Sequence, residues 1–198
     1  MVSCKSSGNK YAGYYAEGVD SVVEVADCVS DQDARGCHAV EGAMLRATKV
    51  TVKSSKEEGY LVHERAHAVL KECSAENCEE NGVYCRDGGS KVHVEGCTLG
   101  SNGRCGVLAS VDAEVTMEGC HSSQHSTAAG YRATRRAEMK VSGSVSDGDQ
   151  QGCSVDDGGQ LTMEDATVNG TLQSGQLPRR RLRMELRGLR SLGVSDHS

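Results

Sequence analysis

Two histidines and a glutamate stand at the spacing of a zinc-protease motif in His63-Glu64-Arg65-Ala66-His67. That chemistry needs a helix, because one helical turn brings both imidazoles to one face, with the glutamate beside a metal-bound water. The sequence offers no apparent third metal ligand. The motif therefore indicates a zinc hydrolase only if this segment is helical, and the pattern around it decides that question.

Three acidic residues, Glu41, Glu64 and Asp87, follow one another at intervals of 23 residues. If equivalent positions stack in space, their carboxylates lie about 5 Å apart and repel one another unless a cation or a proton is shared. Oxygen ligands in this arrangement could hold Ca²⁺. The alternative is that these are turn residues whose side chains project into water.

The elements that must position these residues are set by a repeat. Residues one and three places after each repeated glycine are mostly apolar or small, and apolar residues alternate with polar ones at the period of a strand. Each unit thus holds about three short strands, which bury their apolar face only when units stack about 4.8 Å apart. The repeated glycines lie 22 to 24 residues apart: Gly13, Gly36, Gly59, Gly82, Gly106, Gly130 and Gly152.

The zinc motif falls inside this register, so His63 and His67 lie on a strand and the turn that follows it, where their imidazoles do not converge. The register also places Cys73, Cys97 and Cys120 in one internal column. We interpret that column as small buried hydrophobic residues, with redox or metal chemistry as the alternative. No metal site is therefore predicted from either pattern.

The units from Gly59 to Cys73 and from Gly82 to Cys97 resemble the generic right-handed β-helix repeats of the pectin-lyase-like superfamily. These repeats occur in polysaccharide-modifying enzymes and in some F-box proteins. The resemblance implies an all-β fold, a single-stranded right-handed parallel β-helix of about seven to eight coils over residues 1–172. It also suggests an enzyme site in which Arg86 serves as base beside the acidic cluster. The fold alone does not specify a function.

A second candidate site is the outward face of the first strand in each unit. Two and four places after the repeated glycines, several residues are aromatic or apolar, which is unusual for a surface that faces water. We interpret this face as a binding surface, the alternative being an ordinary mixed surface or an in–out assignment displaced by a bulge. Its predicted members are Tyr15, His38, Leu61, Tyr84, Leu108, Arg132 and His63.

Composition and charge restrict the classes of partner. The chain of 198 residues has no Phe, Trp or Ile, which suggests a narrow interior filled by small side chains. Its net charge of −6 makes nucleic acid an unexpected partner for the acidic body. No apolar run approaches the roughly 18–20 residues needed to span a bilayer. Ten Cys without a signal-peptide-like start favour reduced thiols and an intracellular location.

The two ends of the chain depart from the repeat. Residues 1–13 align with residues 117–130, so the chain opens in the middle of a unit, and we expect either a separate cap or a longer parent protein. Residues 173–198 contain six Arg, and Leu182, Leu186 and Leu189 have helical spacing. We expect a short basic helix or tail that covers the last coil, and residues 179–190 could also contact an acidic surface.

Two functional hypotheses remain open. The first is a non-catalytic binding or scaffold module that presents a long rigid face to a protein or a glycan, with the protein partner slightly favoured because aromatic residues are few. The second is a polysaccharide lyase, epimerase or hydrolase, or a fragment of one, with Glu41, Glu64, Asp87 and Arg86 at its site. No cofactor is expected, except Ca²⁺ under the second hypothesis.

Overall fold

The chain folds into a parallel β-solenoid whose coils each contribute one strand to three sheets. The computed structural model describes residues 1–169, together with the backbone of residues 171–174, 183–187 and 190–191. Successive coils pair in parallel, and the sheets contain eight, eight and nine strands. The predicted all-β coil is therefore confirmed. The described residues include no helix of the length and apolar character needed to cross a membrane.

The strands are grouped by their place in the coil. Sheet 1 holds the strands that contain or follow the repeated glycines: β2 (Ala12–Glu17), β5 (Arg35–Val40), β8 (Tyr60–Val62), β11 (Val83–Arg86), β14 (Val107–Ser110), β17 (Ala129–Ala133), β20 (Gln151–Val155) and β23 (Thr171–Ser174). Sheet 2 comes next in each coil: β3 (Val22–Ala26), β6 (Met44–Thr48), β9 (His67–Lys71), β12 (Lys91–Glu95), β15 (Glu114–Glu118), β18 (Glu138–Ser142), β21 (Gln160–Glu164) and β24 (Arg183–Arg187). Sheet 3 closes the coil: β1 (Lys5–Ser7), β4 (Val29–Asp31), β7 (Thr51–Lys53), β10 (Ser74–Glu76), β13 (Thr98–Gly100), β16 (His121–Ser123), β19 (Val145–Asp147), β22 (Thr167–Val168) and β25 (Arg190–Ser191).

The interior is filled by the alternating inward residues of these strands. In β15, for example, Val115 and Met117 are buried while the residues on either side of each are exposed. Tyr60 is wholly buried, and its hydroxyl donates to the backbone carbonyl oxygen of Val50 at 2.9 Å. A tyrosine thus spans the narrow core without leaving its hydroxyl unpaired, as a buried polar group requires.

The corner between sheets 2 and 3 contains the predicted cysteine column. Cys73, Cys97 and Cys120 are all buried, and the Cys73 amide donates to Cys97 Sγ at 3.3 Å. The Cys120 amide donates in the same way to Ser144 Oγ at 3.0 Å. All ten cysteines are free thiols. The side chain at this corner accepts a backbone N–H from the preceding coil, which gives the column a structural role.

The corner before sheet 1 explains why glycine repeats. A Cβ added at Gly106 would lie 2.2 Å from Ser122 Oγ and 2.7 Å from both the Gly130 carbonyl oxygen and His125 Nε2. Gly13 and Gly130 are equally crowded by a serine and an aspartate of the next coil. Close approach of neighbouring coils, rather than an unusual φ, therefore imposes this glycine column.

Of the two alternatives predicted for the C-terminal segment, a short helix or a tail, the helix is not formed at residues 183–187, which form β24, and residues 190–191 form β25. β24 pairs with β21, so that Leu161 opposes Met184 and Met163 opposes Leu186. A short helix interrupted by Gly188 is weak by itself, whereas pairing with β21 satisfies the backbone groups of a strand edge. In the sequence, the alternation of the apolar Met184 and Leu186 with charged residues is the pattern that indicates a strand. Residues 173–174 belong to β23, and the other residues of that prediction lie outside the described part of the chain.

Candidate functional site

The predicted binding face lies on the outside of sheet 1 in the expected register. His38 pairs with Tyr15 on one side and with Leu61 on the other. The column then continues from Leu61 to Tyr84, and onward to Leu108, Arg132 and Ser154. The sequence repeat therefore stacks these residues as expected, although their stacking does not by itself establish binding.

The apolar and histidine members of this face are more buried than outward positions usually are. His38 is 2% exposed, Leu61 is 4% and His63 is 7%, although none belongs to the solenoid core. Tyr84 and Leu108 are half-buried. The centre of the face is thus closed by its own side chains, and its accessible part consists largely of polar groups around that centre.

Two imidazoles form the centre. His38 Nε2 and His63 Nε2 are 2.8 Å apart, and the two rings are stacked with their centroids 5.0 Å apart. One nitrogen must donate and the other accept, so at least one ring is neutral. Burial, followed by the positive charges of His63, Arg35 and Arg86, lowers the pKa of His38 to about 3. Burial, followed by the Arg86 charge, also lowers the pKa of His63.

An aromatic cluster borders the histidine pair. Tyr11 and Tyr15 meet edge to face with ring centroids 5.0 Å apart, and the His38 ring lies 5.2 Å from Tyr15 and 5.5 Å from Tyr11. The Arg35 guanidinium lies over the Tyr11 ring at 5.5 Å. Tyr11 is 50% exposed. Sequence reasoning missed Tyr11 because it precedes the repeated glycine and belongs to no aligned column.

The three acidic residues line one groove beside the histidine pair. A groove of about 510 Å³ is bordered by Glu41, Glu64 and Asp87, together with Arg65. The three acidic residues sit at the turn from sheet 1 to sheet 2 and have left-handed φ angles of 55°, 54° and 71°. The three residues therefore come together at one groove, as predicted. They are also turn residues, which was the alternative.

Two of the carboxylates that border the groove lie close to the buried His63. His63 Nδ1 lies 3.1 Å from Glu64 Oε1 and 3.9 Å from Asp87 Oδ2. Arg86 Nε lies 3.9 Å from the same Asp87 oxygen, and the Arg86 guanidinium lies 6.0 Å from the centroid of the Tyr84 ring. The predicted catalytic candidates are therefore neighbours. Among the described residues, however, no group of three or more His, Cys, Asp or Glu side chains is arranged to hold a metal ion.

The far end of the face contains polar pairs that are already matched. Tyr84 Oη lies 3.1 Å from Ser110 Oγ. Arg132 donates to Asp156 Oδ2 from Nη2 at 2.6 Å and from Nε at 3.2 Å. These side chains are thus engaged with one another, although Asp156 Oδ1 has no hydrogen-bond partner.

The zinc-protease reading of residues 63–67 is excluded by the strand geometry. His63 points to His38 on sheet 1, whereas His67 begins β9 of sheet 2 and is exposed. His67 instead borders a separate cavity of about 250 Å³ with Lys91 and His93. The true partner of His63 comes from the preceding coil, 25 residues away.

A buried Ser122, His125 and Asp149 cluster is structural despite its catalytic composition. Ser122 Oγ lies 2.8 Å from His125 Nε2, but Asp149 accepts from the His125 backbone amide and not from its ring. Ser122 is wholly buried and His125 is 2% exposed. The same corner contains Asn102, whose Oδ1 accepts the Cys78 amide at 3.0 Å. These side chains tie neighbouring coils together.

A known family model matches the repeated part of this sequence. A model described as a right-handed β-helix region aligns with residues 1–120, which is more than half of the chain. The chain belongs to the right-handed β-helix family. No curated protein matches it.

Two solved structures align with this β-helix chain at low identity and low TM-score. The catalytic domain of a GH87 α-1,3-glucanase in complex with nigerose aligns at 10% identity and a TM-score of 0.45, over 98% of this chain and 53% of that one. The chain therefore spans about half the length of that glucanase domain. Trypsin-treated QnrB1, a plasmid-mediated fluoroquinolone resistance protein, aligns at 13% identity and a TM-score of 0.34, over 94% and 91%.

Proposed function

We propose that this β-helix chain is a non-catalytic module that binds an extended glycan along the outside of sheet 1. The observation that carries this proposal is the polar groove of about 510 Å³, whose lining comes from four successive coils. The half-exposed Tyr11 lies on the same face, with its ring centroid 5.5 Å from that of His38. Its volume lies in the range of small-ligand sites, roughly 300–1,000 Å³. A chain of sugar rings offers hydroxyl groups to the carboxylates and to Arg65, and an apolar ring face to Tyr11.

The small number of aromatic residues slightly favours a protein partner. The burial of the apolar residues on this face supports a glycan instead. Protein interfaces gain most of their energy from accessible aromatic and apolar anchors. Here Leu61 and Val40 are already 4% and 6% exposed, so they offer little further area to bury. The accessible groups are mainly hydrogen-bonding ones, which suits a hydroxyl-rich ligand.

The test is a glycan array, followed by calorimetric titration of the best oligosaccharide into the full chain. Tyr11→Ala and Glu64→Ala are each expected to weaken binding by about tenfold or more, which corresponds to about 1.4 kcal/mol. Glu118→Ala, on the exposed side of sheet 2, is the matched control and should leave the affinity unchanged. The absence of binding to any glycan would overturn the proposal.

An enzymatic function is the second candidate, and the histidine pair is the observation that favours it. Titratable groups with shifted pKa values cluster at catalytic sites, and His38 and His63 lie beside Glu64, Asp87 and Arg86. The discriminating assay incubates the chain with polygalacturonate and with alginate, with and without millimolar Ca²⁺. We expect no chain cleavage. Turnover that Glu64→Gln abolishes would establish the enzyme instead.

A further inference from the structure

The groove carries an excess of negative charge that the described residues do not balance. Glu41, Glu64 and Asp87 border it with Arg65 as the one basic residue of its lining. Within the part of the chain that the structure describes, Glu41 and Glu64 have no ion pair with Lys or Arg, and the one such pair of Asp87 is with Arg86, at 3.9 Å.

Acidic residues elsewhere on the solenoid are matched across coils. Glu24 accepts from Arg46 at 2.7 Å, and Asp112 accepts from Arg136 at 2.6 Å. Asp112 is informative because it lies at the same turn as Glu64, two coils further on. The groove has an arginine at this turn, Arg65, but among the described residues it forms no ion pair with Glu41, Glu64 or Asp87.

A buried polar atom with no partner faces the acidic pair. His63 is 7% exposed, and its Nδ1 has no hydrogen-bond partner. That atom lies 3.1 Å from Glu64 Oε1 and 3.9 Å from Asp87 Oδ2, although the contact with Glu64 lacks hydrogen-bond geometry. Leaving a buried polar atom unpaired is energetically costly, so a native site normally supplies it with a partner. Here that partner would enter from the groove.

On the basis of the glycan-binding function proposed above, we propose that the groove selects an amino-sugar polymer with a free ammonium group between Glu64, Asp87 and His63. An ammonium group has three donors and no acceptor. The two carboxylates are acceptors, and His63 Nδ1 is a third when the ring proton resides on Nε2, toward His38. A bound ammonium thus supplies the donor that His63 lacks and neutralises part of the acidic column.

The same charges disfavour other sugars. A uronic-acid polymer would place carboxylates against Glu41, Glu64 and Asp87, and like charges at this distance repel. An N-acetylated sugar keeps the sugar ring but adds an acetyl group to the nitrogen, which loses its positive charge and two of its three donors. The ligand class therefore follows from the charge of the groove as well as from its shape.

The test compares three tetrasaccharides by calorimetric titration into the full chain: glucosamine tetramer, its fully N-acetylated counterpart and tetragalacturonate. The glucosamine tetramer is expected to bind at least about tenfold more tightly than the other two. Its affinity should fall as salt rises from about 0.05 to 0.5 M, because salt screens exposed charges. A lysine-rich peptide of the same net charge serves as a further arm.

The two single variants Glu64→Gln and Asp87→Asn each remove one negative charge from the groove and keep the shape of the side chain. Each is expected to reduce the preference for glucosamine over its acetylated form by about tenfold. Glu118→Gln, on the exposed side of sheet 2, makes the same charge change away from the groove and should leave that preference intact. Thermal melting of each variant verifies that the coil is folded.

Each outcome decides between the two proposals. Equal affinity for the free and acetylated tetramers would overturn the amino-sugar inference and leave glycan binding standing. No affinity for any of the three sugars, with a glycan array also negative, would overturn both. Binding of the lysine-rich peptide without any binding of sugars would likewise overturn both, because the groove would then be a site for a basic peptide.

Discussion

At the scale of the residue, the outward face of sheet 1 depends on a pair of histidines that is held neutral by its surroundings. His38 and His63 come from neighbouring coils and share a hydrogen bond of 2.8 Å. Tyr11 and Tyr15 cover one side, Arg35 and Arg86 add positive charge, and Glu64 is the nearest carboxylate. Protonating both rings would place two positive charges in contact, so this pair resists acid.

The pair makes stability depend on pH. The folded pKa of His38 is about 3, whereas an unfolded histidine titrates near 6.5. Stability is therefore fully present above about pH 6.5 and is lost progressively as pH falls toward 3, because only the unfolded chain takes up these protons. We expect a lower melting temperature at about pH 5 than at about pH 7.5.

The control for this prediction removes the pair. A His38→Leu/His63→Leu variant should lose less stability between the same two pH values. His121→Gln alters an exposed histidine of sheet 3 and should behave like the unmodified chain. The measurement is thermal unfolding followed by circular dichroism. An equal loss in the double variant would show that other groups cause the pH dependence.

At the scale of the element, the corner between sheet 3 and sheet 1 sets the shape of each coil. The repeated glycine brings its backbone close to the next coil, and the corner side chains Asn102, His125 and Asp149 accept amide protons across that gap. Each corner thus pairs backbone groups that no strand ladder reaches. This arrangement explains why a mixed set of polar residues is tolerated in one buried column.

A methyl group at this corner should be destabilising. In Gly106→Ala, the new Cβ would meet Ser122 Oγ at 2.2 Å, and we expect a loss of about 1–3 kcal/mol from overpacking. Gly100→Ala is the matched control, since the nearest atom to its Cβ would be Ser123 Oγ at 3.8 Å. Urea unfolding measures both variants. Equal stabilities would contradict the close-approach explanation of the repeat.

At the scale of the whole molecule, the solenoid is held together by contacts between neighbouring coils. Each strand pairs with its equivalents in the coils before and after it, and the corner hydrogen bonds join the same pairs of coils. Such a molecule behaves as a one-dimensional array in which each unit stabilises its neighbours. The groove requires only the four coils that contain Gly18, Glu41, Glu64 and Asp87.

Removing one complete coil should therefore preserve both the fold and the groove. Cys120 and Ser144 are equivalent positions 24 residues apart, so deletion of residues 121–144 keeps the register. We expect a β-rich circular dichroism spectrum, cooperative melting at a somewhat lower temperature, and unchanged affinity for the ligand of the groove. Deletion of roughly half a coil, residues 121–132, shifts every later column to the wrong position and should abolish cooperative melting.

The sequence by itself determined the coil, its register and the stacking of the face from Tyr15 to Arg132, because these follow from local spacing repeated many times. It also excluded the zinc site at His63 and His67, since strand periodicity separates the two side chains. Only the tertiary structure decided that His63 meets His38 and that Tyr11 joins the site. Those contacts depend on how side chains of different coils orient and bury one another, which no column of the repeat encodes.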